Sequence, residues 1–168
     1  MIFVTVGSRQ YPFDRLFRKI DDLFEDGTLD DELFAQIGTS TYIPQHYKYK
    51  DFLTEEEFDR KIQCADIVIS HGASGSIMKA LKAGKKVITV TRLEKYGEHI
   101  NDHQIQTNEA FSSNGYTMMA DPELENLGDC IKKIQKETIE LKPWENEDPM
   151  AIVDMIDVYI SENWEAYV

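Results

Sequence analysis

An apolar run that stops at a glycine-rich turn constrains this chain more than any other stretch. Ile67-Val68-Ile69 leads into Ser70-His71-Gly72-Ala73-Ser74-Gly75-Ser76. The apolar positions Ile77, Met78, Ala80 and Leu81 follow, and Lys85-Lys86-Val87-Ile88-Thr89-Val90 is a second apolar run. Strand, small-residue turn, helix and strand in that order make a parallel βαβ crossover. The carboxyl end of a parallel strand is where open α/β sheets bind ligands. Gly72 and Gly75 let a ligand approach the backbone. Ser74 and Ser76 supply hydroxyls and candidate helix caps, and the amides of the first helical turn attract phosphate. Taken alone, the stretch is also readable as a tight turn with glycines for geometry and serines for capping.

The rest of the chain repeats the unit. Ile2 to Val6 is apolar and β-branched, as a buried parallel strand requires, and Gly7-Ser8-Arg9-Gln10 follows as its loop. Phe13, Leu16, Phe17, Ile20, Leu23 and Phe24 share a helical face, with Asp14 in the first turn and Gly27 at the end. Glu32 to Ile37 reads as a strand, Gly38-Thr39-Ser40-Thr41 as its polar loop, and Ile43 to Tyr49 as a short strand plus loop. Thr54 with Glu57 three residues on is a capping box for a helix reaching about Ala65. His103 to Phe111 predicts a helix that starts at Asn101 or Asp102 and is closed by Gly115. Tyr116 to Ala120 predicts a strand, and Asp121-Pro122 opens a helix running to about Thr138. Pro143-Trp144 breaks the chain, and Asp148-Pro149 opens a last helix containing Ile152, Ile156 and Ile160. About six strands alternating with helices predict the α/β class, with a Rossmann-like, doubly wound, mostly parallel sheet and helices on both faces. Residues 1–168 read as one domain, with 143–168 as its C-terminal helical extension.

The charge balance narrows the partners. Eighteen Lys and Arg against 31 Asp and Glu give a formal net charge of −13, which argues against nucleic acid and anionic lipid as general ligands. Arg9, Arg15, Arg18 and Lys19 form a local basic cluster. Cys64 and Cys130 lie far apart and read as buried thiols of a reducing compartment. No run approaches 18 apolar residues, and the N-terminus reads as a strand rather than a signal peptide. The expected location is the cytoplasm.

Val68-Ile69-Ser70-His71-Gly72-x-x-Gly75-Ser76, the following apolar strand and then Asp102-His103-Gln104 resemble the C-terminal, nucleotide-binding half of GT-B glycosyltransferases. More narrowly, the pattern is similar to the family-28 C-terminal domain. Phe3-Val4-Thr5-Val6-Gly7 with Pro12-Phe13, and Gly97-Glu98-His99-Ile100-Asn101-Asp102-His103-Gln104, resemble the bacterial two-subunit enzymes of capsule and exopolysaccharide assembly. The eukaryotic two-subunit N-acetylglucosaminyltransferase of the lipid-linked oligosaccharide pathway has a similar split. The resemblance runs from Met1 to about Ile139.

The resemblance implies a UDP-sugar donor, a polyprenyl-linked glycan acceptor, an inverting transfer, no cofactor and no catalytic metal. It implies a membrane-associated partner subunit that supplies the acceptor-binding half and recruits this chain to the cytoplasmic face. Homo-oligomerisation of the isolated chain stays open. By position, Gly7, Ser8 and Arg9 fall near the diphosphate, and Phe52 and Leu53 fall where relatives contact uracil. His71, Gly72, Ala73, Ser74, Gly75 and Ser76 would cradle phosphates and ribose, and Asp102, His103 and Gln104 would meet the donor sugar. Relatives often carry a glutamate for the ribose where this chain has Lys79. A cation accepts no hydrogen bond, so that contact is supplied elsewhere or replaced by one from Lys79 to a phosphate.

The candidate catalytic residues are His71, Glu98, Asp102 and His103. Glu98 and Asp102 read as an acid/base pair or as a charged loop. His99, Asp102 and His103 are also of metal-ligating type, a reading the resemblance argues against. Two other classes fit the same fold: a sugar-nucleotide epimerase, whose chains carry both domains, and a non-catalytic nucleotide-binding or regulatory module.

Overall fold

The computed structural model describes residues 1–101 and 103–164. Six strands form one sheet in the order β3-β2-β1-β4-β5-β6, and every pairing is parallel. The strands are β1 (Ile2–Thr5), β2 (Leu33–Gln36), β3 (Lys48–Lys50), β4 (Ile67–Ser70), β5 (Lys86–Thr89) and β6 (Met118–Met119). The helices are α1 (Asp14–Glu25), α2 (Glu55–Cys64), α3 (Ser74–Lys82), α4 (His103–Ser113), α5 (Leu127–Gln135) and α6 (Ala151–Asn163). The α/β doubly wound fold is therefore as expected.

The uninterrupted apolar strands follow from burial on both faces. Side chains alternate across a strand, so Ile2, Val4, Ile67, Ile69 and Ile88 join Leu16, Phe17 and Ile20 of α1 and Leu127, Ile131 and Ile134 of α5. Phe3, Val68 and Val87 point the other way, onto Ile62 of α2, Ile77, Ala80 and Leu81 of α3 and Phe111 of α4. Ile152, Met155 and Ile156 of α6 pack on this second layer.

Four local expectations change. The helix expected from Asp121-Pro122 begins only at Leu127. The Asp121 carboxylate accepts from the amides of Glu123 (2.9 Å) and Asn126 (2.7 Å), and Leu124 sits at φ +62°, so a side-chain-held turn replaces the first helical turns. The expected strand from Tyr116 to Ala120 shortens to two residues. Cys64 is exposed, because it ends α2 on its outer face, whereas Cys130 is buried. The basic cluster dissolves: Arg15 pairs with Glu98, and the Arg18 guanidinium lies 4.5 Å from the Tyr42 ring centroid.

Asp14 does more than favour its own helix. Its carboxylate accepts from the Thr41 amide and hydroxyl (both 2.7 Å) and from the Tyr42 amide (3.1 Å). Phe13 N donates to Ser40 Oγ at 2.8 Å. The loop after β2 is thereby fastened to the start of α1, which fixes one wall of the carboxyl edge of the sheet.

Candidate donor site

The winding direction of the sheet reverses between β1 and β4, since β2 and β3 lie to one side and β5 and β6 to the other. The loops after β1 and β4 therefore part, leaving the crevice expected at a topological switch point. Gly7, Ser8, Arg9, Phe58, His71, Ala73, Gly75, Ser76 and Lys79 line it, around a volume of about 330 Å³.

Two glycines are required by geometry. Gly7 has φ +70°, and a Cβ there would stand 2.8 Å from His71 Cε1. Gly72 has φ +88°, and its Cβ would stand 2.6 Å from Asn108 Oδ1. Both conformations favour glycine, and both contacts let a buried side chain seat against the backbone. Gly75 is different. A Cβ there would open onto free space, so its smallness leaves room above α3.

Ser74 is the first residue of α3 and Ala73 is its N-cap, with no side-chain cap bond. The serines are thus not caps, since neither precedes the helix. The first-turn amides of α3 are left facing the crevice edge without a side-chain acceptor, the arrangement that suits a phosphate.

His71 is 3% exposed, and its Nδ1 lies 3.3 Å from the Thr5 carbonyl. A carbonyl only accepts, so this contact places the proton on Nδ1. Burial, reinforced by the positive charge of Arg92, pushes the imidazole pKa down to about 3. His71 is therefore neutral near pH 7 and brings no positive charge to a diphosphate. It is also a weak base there.

Lys79 Nζ stands 2.8 Å from Asp59 and 3.4 Å from Glu55, both on α2. Its charge is balanced by two carboxylates, which disfavours the phosphate contact considered for it. A carboxylate does stand at this corner, on α2 instead of α3.

Glu98 is 4% exposed and is not a solvated loop charge. Oε1 accepts from Arg15 Nε at 3.0 Å, and Oε2 accepts from Arg15 Nη2 and from the Leu93 amide, both at 2.9 Å. Arg15 also donates to the Thr91 and Pro122 carbonyls. Glu98 thus fixes the loop after β5 to α1.

A second groove of about 330 Å³ adjoins the first, lined by Arg9, Gln10, Tyr11, His99 and Ile100. Arg9 borders both grooves. The Tyr11 and His99 rings are 5.4 Å apart. His103 is exposed, with Nδ1 3.2 Å from Gln106 Oε1. Gln104 is half-buried, and its Oε1 is a buried acceptor with no partner among the described residues. Phe52 is exposed beyond β3, while Leu53 packs into the second core layer. Asp102 lies outside the described residues. Among the described residues no group of three or more His, Cys, Asp or Glu side chains is gathered for a metal.

Two buried polar residues escaped sequence reasoning. Asn108 of α4 is fully buried, with Nδ2 donating to Thr91 Oγ1 (2.9 Å) and to the Val90 carbonyl (3.3 Å). It joins the helix bearing Gln104 to the end of β5 and the Gly72 turn. Arg92 is fully buried behind the Tyr11 loop, donating Nη2–H to the Tyr11 carbonyl at 2.8 Å. Neither stands out in sequence, because Arg92 after an apolar strand reads as a loop residue and Asn108 within α4 reads as part of a solvated helix face.

Residues 1–152 match the glycosyltransferase family 28 C-terminal domain. The chain is 33% identical over 129 residues to the UDP-N-acetylglucosamine transferase subunit ALG13 of Homo sapiens, and 30% identical over 128 residues to that of Mus musculus. Each match covers 68% of this chain but only 10% of the relative, so the chain spans about a tenth of their length. Among solved structures, the glycotransferase of kitacinnamycin shares the fold with a TM-score of 0.56 at 14% identity, over 96% of this chain and 38% of that one.

Proposed function

The chain belongs to the glycosyltransferase family 28 C-terminal domain family, and from that membership we propose that it is the donor-binding catalytic subunit of an inverting UDP-sugar glycosyltransferase. Its acceptor would be a lipid-linked glycan in exopolysaccharide or capsule assembly, and it would work at the cytoplasmic face of the membrane with a membrane-associated partner. The observation that carries this reading is the switch-point crevice, where the α3 amides face the Gly7–Arg9 loop across an opening.

In this reading the diphosphate lies against the first turn of α3, with Ser74 and Ser76 as further donors. Phe52 is the exposed ring offered to the base. The sugar extends toward α4, where the half-buried Gln104 amide offers both a donor and an acceptor to its hydroxyls. The acceptor oxygen attacks the sugar C1 from the face opposite the diphosphate. The bond from C1 to the β-phosphate oxygen breaks, its electron pair leaves with UDP, and the configuration at C1 inverts. Amides and hydroxyls aimed at the leaving diphosphate stabilise the charge that develops there. The hydroxyl proton must go to a base. Neutral His71 is too weakly basic, and both Glu98 oxygens are engaged. That role falls to His103, to Asp102 or to the partner.

The sheet supplies one wall of a cleft, and no helix among the described residues is long and apolar enough to cross a membrane. A partner that binds the lipid-linked acceptor would supply the second wall. Holding an acceptor in line for attack contributes several kcal/mol, so the isolated chain should transfer at least roughly a hundredfold more slowly than the complex. The test is to assay purified chain with UDP-N-acetylglucosamine and other UDP-sugars and a polyprenyl-linked acceptor, with and without membranes carrying the partner. Full transfer by the chain alone, unchanged by the partner, contradicts the two-component reading.

A further inference from the structure

Arg92 has the largest fully buried side chain among the described residues, at 0% exposure. It leaves the loop after β5 and reaches under the loop after β1, where Nη2 donates to the Tyr11 carbonyl. Its Nε and Nη1 have no hydrogen-bond partner among the described residues. The Nη2 hydrogen bond goes to a carbonyl and not to a carboxylate. Glu98, whose negative charge does reach it, is committed to Arg15 and the Leu93 amide. Burial lowers the guanidinium pKa only to about 10, so the group is charged near pH 7. Its position behind the crevice follows from the hydrogen bond to Tyr11, since the loop it holds is the one whose Gly7, Ser8 and Arg9 line the crevice.

A buried cation without a hydrogen-bonded counter-charge, and with unpaired N–H groups, is destabilising. Phe13, itself fully buried, lies 5.6 Å from Cζ, so the guanidinium sits against apolar core rather than water. An anion in the adjacent crevice would offset the charge. Neutral His71 and the balanced Lys79 leave this crevice short of positive charge, with exposed Arg9 the other cation on its wall. We propose that Arg92 is a positioning residue of the donor site, a fixed positive charge behind the crevice that favours the diphosphate while it tethers the Tyr11 loop. The proposal rests on the UDP-sugar reading above.

The charge role and a merely structural role separate when ligands with and without phosphates are compared. Calorimetric titrations of UDP and uridine would be run on the wild type, Arg92→Met and Arg92→Lys, with thermal unfolding of each in the absence of ligand. The expected result is that Arg92→Met unfolds at or above the wild-type temperature, because an apolar replacement removes a buried unpaired charge. It should bind UDP about tenfold more weakly and uridine within about twofold of the wild type. Arg92→Lys should recover most of the preference for UDP. An Arg92→Met chain that fails to fold or unfolds at lower temperature overturns the proposal. So does parallel weakening of UDP and uridine, or unchanged UDP binding. A wild type that binds neither ligand overturns the donor reading and this proposal together, whereas the other contrary results leave wild-type binding intact.

Discussion

His71 is buried as a neutral ring, and that has a measurable consequence for stability. In the unfolded chain a histidine titrates near its ordinary value of about 6.5, whereas in the fold burial holds its pKa down to about 3. Between these values the unfolded state binds a proton that the folded state does not, so stability falls as pH drops from 6.5 toward 3. The loss should amount to about 2 kcal/mol between pH 7 and pH 5. Urea unfolding of the wild type and His71→Asn at the two pH values measures it: the variant should lack this part of the acid sensitivity. Equal sensitivity in both would mean that His71 is not held neutral. The glycine turn around His71 was legible in the sequence, since φ > 0 leaves few alternatives to glycine. What Gly7 and Gly72 make room for, a histidine ring and the Asn108 amide, was not, because those contacts span 64 and 36 positions. Arg92 was equally hidden, since nothing local distinguishes a buried arginine from a solvated one.

At the scale of elements, α1, α2 and α3 were legible because each buries one apolar face, whereas α4 buries Asn108 beside Ala110 and Phe111. The capping box at Thr54 formed as its spacing required, with Glu57 N donating to Thr54 Oγ1 at 3.2 Å. The start of α5 was misread, since Asp121 satisfies two amides by itself and a turn competes with the helix. Glu98 was read as part of a charged loop or an acid/base pair, and its partner Arg15 lies 83 positions away. The pairing gives the loop after β5 a fixed shape against α1. Glu98→Gln removes the charge and weakens the two-pronged contact, so it should lower stability by about 1–3 kcal/mol. Urea midpoints for the variant and the wild type check this. Unchanged stability with greatly reduced transfer would instead make Glu98 an acid or base, and the loop-fixing role would be wrong.

For the whole molecule, alternating strands and helices were enough to give a parallel, doubly wound sheet with ligand-facing loops at its carboxyl edge. The strand order then puts the opening between β1 and β4. Composition and pattern could not show that this opening is short of mobile positive charge, because that depends on Lys79 pairing with α2 and on His71 losing its proton. The central claim is that the crevice over α3 holds the diphosphate of a uridine nucleotide. Gly75 is the position at which to test it, since a Cβ there opens onto free space and the backbone is not in the left-handed region. Gly75→Asp should fold normally while placing a carboxylate where the phosphates lie. Calorimetric titration of UDP and ADP into the wild type and Gly75→Asp is the direct measurement. The wild type should bind UDP more tightly than ADP, and the folded variant should lose at least about tenfold in UDP affinity. Equal UDP affinity in the two proteins would contradict the assignment.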